Sequence, residues 1–506
     1  MQSPSKSEAS RLLNQAAADG DADAMLAAGA AALQSGAQVE ALAPVQEMLR
    51  RNSGSARLWQ LLGLLSRDLQ DSATSLEAFR KASALLPNDA MIANGLAHVA
   101  FEAGLPAVDL FERAIQLNPT DRSIWLRLAA AWVQEGQAEV IIGVLEEELT
   151  ADPGWIEGHK TLSKLRWESG DRKAFAQSFD RAVAAMPRNS ELWLAYVQAL
   201  AHDKLHEQAL DVIQRGKAAL GPVPELEAIE AIALTELGRL NSAAPLFARV
   251  AHLQDLSTLV AYLRFLIRSG RVDEAAAVAE SNVEQAGNWV WPYLSICWRL
   301  LGDSRWQWLE GDSELIGVYD LAPNLPDLDL LAKRLRALHW ATVEPVDQSL
   351  RGGTQTHGDL LFRIEPEIRQ LRSALVAAIE EHVARLPAAR PGHPTLIDQR
   401  SPILFSGSWS VRLAGGGRHV DHLHPAGWIS SALYIALPNE AERGSGEAGW
   451  LALGQAGDLV PELPPIRVVE PKAGRLVLFP STMWHGTRPF GAGERLTVAF
   501  DVKRPA

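Results

Sequence analysis

Residues 79–125 read FRKASALLPNDAMIANGLAHVAFEAGLPAVDLFERAIQLNPTDRSIW, and the text repeats itself inside that window. Phe79 stands eight residues before Pro87, and Phe111 eight before Pro119. Ala82 and Ala114 stand five before the same prolines, and Trp125 six after the second. Working outward, Pro153 and Pro187 continue the series, at intervals of 32, 34 and 34 residues along the four prolines. Phe179, Ala182 and Trp193 keep the register around Pro187, Leu145 and Glu148 replace Phe and Ala before Pro153, and Trp59 fits one unit earlier. Glycines form a longer series, Gly36, Gly104, Gly136, Gly170, Gly238, Gly270 and Gly302, with Gln70 and Lys204 in its two missing slots.

A period of about 34 residues predicts a helix–turn–helix unit. Glycine permits the sharp turn between the two helices, and proline ends the second. The small Ala lets the helices approach, and Phe fills the groove beside it. The pattern resembles the tetratricopeptide repeat over about residues 59–200, and the glycine spacing carries it on both sides. Eight or nine hairpins fill residues 8–310 and stack into a curved solenoid. The Trp, Phe and Ala positions are expected to pack helix on helix, and the concave groove to receive a protein or peptide partner.

With 506 residues, the chain is too long for one ordinary core and should hold two or three domains. Hydrophobic residues make up 47% and charged residues 22%, the balance of a soluble globular chain. A formal net charge of −13 argues against a general binder of nucleic acid or anionic membrane. Cys297 is the single cysteine, so no disulfide framework holds the chain together. The opening MQSPSKSEASRLLNQAAADGDADA lacks the apolar core of a signal peptide, and no apolar run approaches a membrane span. A cytoplasmic protein is expected.

Tryptophans crowd into residues 289–308, at 289, 291, 298, 306 and 308, and predict an aromatic seam joining the last repeat to the next domain. Residues 311–327, with Pro323 and Pro326 among several acids, read as a linker. Leu330–His339 and Glu365–Leu386 have amphipathic helical spacing. Between them the polar, Gly-paired Gln348–Gly358 segment, which includes Arg351-Gly352-Gly353-Thr354, reads as a loop of the kind that can lie over a site.

Beyond about residue 400 the period drops to two. Candidate strands are Leu404–Leu413, Ile429–Leu437, Trp450–Leu453, Ile466–Val469, Arg475–Phe479 and Arg495–Val502, separated by Gly, Pro and Asp clusters. This is an all-β barrel or jelly roll. His422, His424, His485 and Arg495 fall at strands or strand ends here, a pattern that points to an open iron site with an anionic co-substrate. Residues two apart on a strand share a face. His422 and His424 form one such pair, His419 and Asp421 another of opposite parity, and a regular strand can turn only one pair inward.

The runs HLHPAGWISSALYIALP (422–438), PKAGRLVLFPSTMWHGTRPF (471–490) and GERLTVAFDV (493–502) resemble the bacterial His-x-His-Pro type of 2-oxoglutarate/iron(II)-dependent dioxygenase, often fused to tetratricopeptide repeats. The resemblance covers about residues 400–503. It implies His422, His424 and His485 as the iron ligands, Ser430 or Ser431 and Tyr434 where the pattern expects them, and Arg495 pairing with the distal carboxylate of 2-oxoglutarate. Tyr434 is either core packing or a co-substrate contact. Thr497, on the face of Arg495, could add a hydroxyl, while Leu496, Val498 and Phe500 pack the barrel. Three histidines depart from the usual two-histidine, one-carboxylate set and also suit zinc. Asp421 would supply the carboxylate if the register differs. His419 and Trp484 read as structural, and Arg412 as either a pocket residue or half of a surface pair.

The expected architecture is a multidomain α + β protein. A helical repeat domain fills residues 1–310, a linker 311–345, and a double-stranded β-helix (jelly roll) with a helical extension 346–506. The expected activity is hydroxylation with Fe(II), 2-oxoglutarate and O2, on a protein or peptide recruited by the repeats. The rivals are a small-molecule oxygenase whose repeats serve assembly, and a non-catalytic metal-binding scaffold.

Overall fold

The computed structural model describes residues 4–202, 204–250, 255–346 and 348–505. The chain forms two compact units: the residues up to Ala138 with His357–Ser373, and Glu139–Thr356 with Ala374–Arg504.

In the first unit, paired antiparallel helices follow the proline and glycine register, among them Ala56–Asp68, Ser72–Leu85, Ala90–Glu102, Val108–Leu117 and Arg122–Gln134. Aspartates start them: the Asp71, Asp89 and Asp121 side chains accept backbone N–H groups of the first turn. Phe79 is buried in the groove between two helices, against Gly63 and Gly95, where an added Cβ would come within 2.6 and 2.2 Å of the ring. The segment 359–364 lies along the turn end of the same repeats. There Ile364 N–H donates to Ala103 O at 3.2 Å. The Gln70 slot of the glycine series has φ +62°, and the Lys204 slot, in the second unit, +58°. They are the only non-glycine residues with positive φ among the described residues. The turn demands a left-handed backbone even where its usual residue is missing.

The second unit continues the helices through Trp291–Leu301 and Arg305–Glu310. His159 takes the Trp position six residues after Pro153. Its Nε2 donates to Pro153 O at 3.1 Å, as Trp193 Nε1 donates to Pro187 O at 2.9 Å. Phe179 packs against His159 and stacks on Tyr196, with ring centroids 5.1 and 5.5 Å away. The tryptophan-rich stretch forms the seam. Trp291 packs on Trp298 and Trp308, Trp308 on His393, and Tyr293 meets Trp484 edge-on at 5.7 Å. Trp289 remains 43% exposed and outside it.

Glu310 is buried in this seam with one carboxylate oxygen on Ser295 Oγ and the other, Oε1, without a partner. Burial pushes its carboxyl up to about 7. Between about pH 4.5 and 7 the unfolded chain ionises this group while the folded chain keeps its proton. Stability should therefore be greatest below that window and fall as pH rises through it, by on the order of 3 kcal/mol. Glu310→Gln should raise the melting temperature at pH 8 and leave it little changed at pH 4.5, as calorimetry would show. Equal melting at pH 8 would refute this account.

The C-terminal strands form two antiparallel sheets. We number them β1 Gly317–Asp320, β2 Leu350–Gln355, β3 Phe405–His419, β4 Gly427–Ala436, β5 Leu451–Leu453, β6 Arg467–Val469, β7 Arg475–Pro480, β8 His485–Thr487 and β9 Arg495–Lys503. One sheet has the order β1-β7-β4-β9-β3-β2, the other β6-β5-β8, and this is the jelly-roll arrangement of a β-sandwich. Tyr434, Leu451, Leu453, Val477, Phe479 and Met483 form the core between them. On β9 the residues Leu496, Val498, Phe500 and Val502 are fully buried, while Arg495, Thr497, Ala499 and Asp501 face a cavity. The helix Leu328–Arg336 packs on β4.

Two segments differ from expectation. Part of the linker stretch is an edge strand, β1, paired with β7. The polar Gly-paired loop is the opposite edge strand, β2, paired with β3 and bulged between Arg351 and Gly353. The glycine pair that argues against a strand is what allows this one. Gly352 has φ +70°, and a Cβ on Gly353 would lie 2.4 Å from Arg412 O. No described helix is long and apolar enough to cross a membrane.

Candidate metal centre

Strand β3 ends at His419, and the chain then leaves regular structure. His422 and His485 exchange backbone hydrogen bonds, His422 N–H to His485 O at 2.9 Å and the reverse at 3.1 Å, an isolated antiparallel bridge. His424 N–H donates to Ser481 O, and Gly427 N–H closes a turn back onto His424 O at 2.9 Å. These bonds bring together two histidines from the β3–β4 connection and one at the start of β8. Ring centroids lie 4.1 Å apart for His422 and His485, 4.9 Å for His422 and His424, and 5.1 Å for His424 and His485. One nitrogen from each ring lies within 4.8 Å of the others.

The free nitrogen follows from the partners of the other one. His422 Nδ1 lies 2.8 Å from Val420 O, His485 Nδ1 3.0 Å from Met483 O, and His424 Nδ1 2.7 Å from Asp501 Oδ2. A carbonyl or carboxylate oxygen only accepts, so each Nδ1 donates its proton, and Nε2 is the nitrogen each ring can offer a metal. Burial, with neighbouring imidazoles adding to it, holds His422 and His485 well below the usual histidine range. Both are neutral near pH 7, as metal ligation requires. Three converging imidazoles fit iron(II).

The competing pair does not move as a unit. His419 lines the same cavity, with Nδ1 2.9 Å from Ser349 Oγ and its ring stacked near His422. Burial, and then the charge of Arg495, pushes it down to about 3. Asp421 turns away and accepts Gly457 N–H at 2.7 Å, behind Gly486. Strand parity fails here because β3 has already ended. His419 lies on the cavity wall, tied to Ser349.

Arg495 and Thr497 line the cavity from β9. Arg495 is 3% exposed, and its Nε and Nη1 have no hydrogen-bond partner. Its Cζ lies 5.0 Å from the ring of Tyr434, which is fully buried. Burial pulls the guanidinium below its ordinary value, and no carboxylate appears among the influences upon it. A buried cation left unpaired is costly unless an anion joins it. This orphaned fork fits the carboxylate of 2-oxoglutarate. Arg412 lies outside, in an exposed ion pair with Glu494 at 2.5 Å. Trp484 packs in the seam, its Nε1 donating to Pro292 O at 3.2 Å.

Asp501, Trp409 and Asn288 were not among the residues expected at this site, whereas Ser430 was. Asp501 holds His424, and Ser430 Oγ lies 2.5 Å from Asp501 Oδ1. Trp409 stacks on His424 with centroids 5.5 Å apart and planes 5° apart. From the seam, Asn288 Nδ2 donates to Pro425 O and Gly427 O, each at 3.3 Å, bracing the turn that carries His424. The parity that added Thr497 to Arg495 extends to Asp501 and could have found it.

Comparison with known proteins agrees with both halves. Residues 407–501 match the family described as "Putative 2OG-Fe(II) oxygenase", and residues 161–222 match a tetratricopeptide repeat. The C-terminal part therefore carries a domain of this oxygenase family, which implies Fe(II) and 2-oxoglutarate, and the helical region carries tetratricopeptide repeats. Protein FlbA of Caulobacter vibrioides is 27% identical over 149 residues, 29% of this chain, and the match spans 25% of FlbA. A Pseudomonas putida prolyl-4-hydroxylase structure shares 19% identity over 38% of this chain and 95% of its own, with TM-score 0.25. MamA from Desulfovibrio magneticus shares 20% over 36% of this chain and 97% of its own, with TM-score 0.29.

Proposed function

We propose that the chain is a 2-oxoglutarate- and iron(II)-dependent oxygenase that hydroxylates a protein or peptide recruited by its helical repeats, in the cytoplasm. The observation that carries this reading is one cavity lined by the three clustered imidazoles and by Arg495, whose Nε and Nη1 have no hydrogen-bond partner. His422, His424 and His485 would hold the metal on one side, leaving its other positions open. Arg495 would take the far carboxylate of 2-oxoglutarate as a bidentate pair, with Thr497 as an adjacent hydroxyl donor and the buried Tyr434 ring beside the guanidinium. Bound together, iron(II) and 2-oxoglutarate supply the oxidising chemistry: O2 is consumed, the acid leaves as succinate and CO2, and one oxygen atom goes to a substrate C–H bond. Burial keeps His422 and His485 neutral, so protons there do not compete with the metal.

Tetratricopeptide repeats commonly mediate protein interactions, which supports a polypeptide substrate over a metabolite. The test uses the full-length chain loaded anaerobically with Fe(II). Succinate should form from 2-oxoglutarate only when O2 and iron are both present. Peptides captured on the chain should gain one oxygen atom. No succinate above an iron-free control, whatever peptide or metabolite is supplied, would sink the reading. Turnover stimulated by a metabolite and by no polypeptide would move it to a small-molecule oxygenase.

A further inference from the structure

We infer that Asp501 is the carboxylate of this metal centre, acting through His424 rather than on the metal itself; this rests on the oxygenase reading above. The three rings are not equivalent. His422 and His485 donate their Nδ1 protons to the neutral carbonyls of Val420 and Met483. His424 alone donates to an anion, Asp501 Oδ2, at 2.7 Å. An imidazole backed by a carboxylate is a stronger donor at its other nitrogen, and its ring is fixed in orientation and tautomer. The negative charge missing from a three-histidine ligand set is thereby present one residue further out.

The surroundings of Asp501 support this role. The residue is 8% exposed, and no lysine or arginine pairs with it among the described residues. Its second oxygen is held by Ser430 Oγ at 2.5 Å, and that hydroxyl lies 2.9 Å from Ser481 Oγ. A hydroxyl has one proton to give. Ser430 gives it to the carboxylate, and Ser481 can supply its own to Ser430. Trp409, stacked on His424, closes one ring face, so the imidazole can swing neither off Asp501 nor out of the site. A buried carboxylate that no lysine or arginine pairs is poorly compensated. A divalent cation on the far side of His424 supplies the positive charge that this arrangement lacks. Position along β9 makes the placement possible: Asp501 shares the cavity face with Arg495 and Thr497, so one strand serves the co-substrate at one end and the metal ligand at the other.

Asp501 is a positioning residue, and the test reads the metal directly. Full-length wild type, Asp501→Asn and Ser430→Ala are titrated with Co(II) against a competing chelator, and the bound ion's visible absorption is recorded. Asparagine keeps an oxygen that can accept from His424 Nδ1 but removes the charge. Asp501→Asn should weaken Co(II) binding by about 10- to 100-fold and shift the absorption bands at saturating metal. Ser430→Ala, which leaves the carboxylate but releases its second oxygen, should move both readouts the same way by less. Wild-type affinity and an unchanged spectrum in Asp501→Asn would overturn the inference while leaving the oxygenase reading intact. Absence of Co(II) binding by the wild type would overturn both. If Asp501→Asn does not fold, Ser430→Ala decides, and wild-type affinity and spectrum there overturn the inference.

Discussion

Replacing His424 by alanine should cost the full-length chain its metal, while replacing Asp421 by alanine should not. The two residues lie three apart and compete on paper for one place in a ligand set. In the structure they face opposite ways. His424 contributes a free Nε2 to a cluster whose members lie within 4.8 Å of one another, and Asp421 accepts Gly457 N–H behind Gly486. Loss of one of three protein ligands should lower Fe(II) or Co(II) affinity by more than the roughly 100-fold that outer partners can command. Succinate production should disappear with it. Asp421→Ala should keep metal and turnover, but it leaves the Gly457 N–H without its partner. That should cost about 1–3 kcal/mol of stability, visible as a lower melting temperature. Metal analysis after a chelating wash decides between them. Metal lost from Asp421→Ala and kept by His424→Ala would reverse the assignment.

Much of this site could be read from the sequence because its signals are local or periodic. The repeat was legible because each unit repeats the same packing problem, and even the empty glycine slots at Gln70 and Lys204 keep the left-handed backbone. Arg495 was legible through the family resemblance, and Thr497 because β9 is a regular strand, where parity holds from end to end. Parity could not keep His419 and Asp421 together as a pair, because β3 stops at His419. It has no authority over the irregular stretch that follows. Edge strand β2 was missed for a different reason: its glycines mark a close approach of two backbones, which sequence alone cannot tell from a loop. Asp501 and Asn288 lie 77 residues from His424 and 137 from Pro425, and only the folded chain brings them to the metal loop. Asn288 also ties the last helices to this region, since the seam braces the turn bearing His424 and holds Trp484, the neighbour of His485.

Arg495→Met should make the protein more stable and unable to use 2-oxoglutarate. The two effects have one origin. Without its co-substrate, the folded chain keeps a guanidinium at 3% exposure with Nε and Nη1 unpartnered. Unsatisfied buried polar groups cost about 1–3 kcal/mol, and charged ones more. An unbranched apolar side chain fits the same slot beside Tyr434 without that penalty, so the melting temperature should rise in the absence of 2-oxoglutarate. With the acid present the order should invert. A carboxylate that has lost its buried cation forfeits about 2–5 kcal/mol, which corresponds to roughly 30- to several-thousand-fold weaker binding. The wild type should gain thermal stability as 2-oxoglutarate is added to the metal-loaded chain, by ligand linkage, and the variant should not. Arg495→Lys should fall close to the methionine variant in affinity, since a single ammonium cannot reproduce the bidentate fork. Co(II) affinity should survive in both, because Arg495 is not among the metal-facing nitrogens. Strain placed where the co-substrate binds is the ordinary exchange of stability for function. A methionine variant that melts lower than wild type without 2-oxoglutarate, or that still gains stability from it, would show that this arginine serves the fold and not the acid.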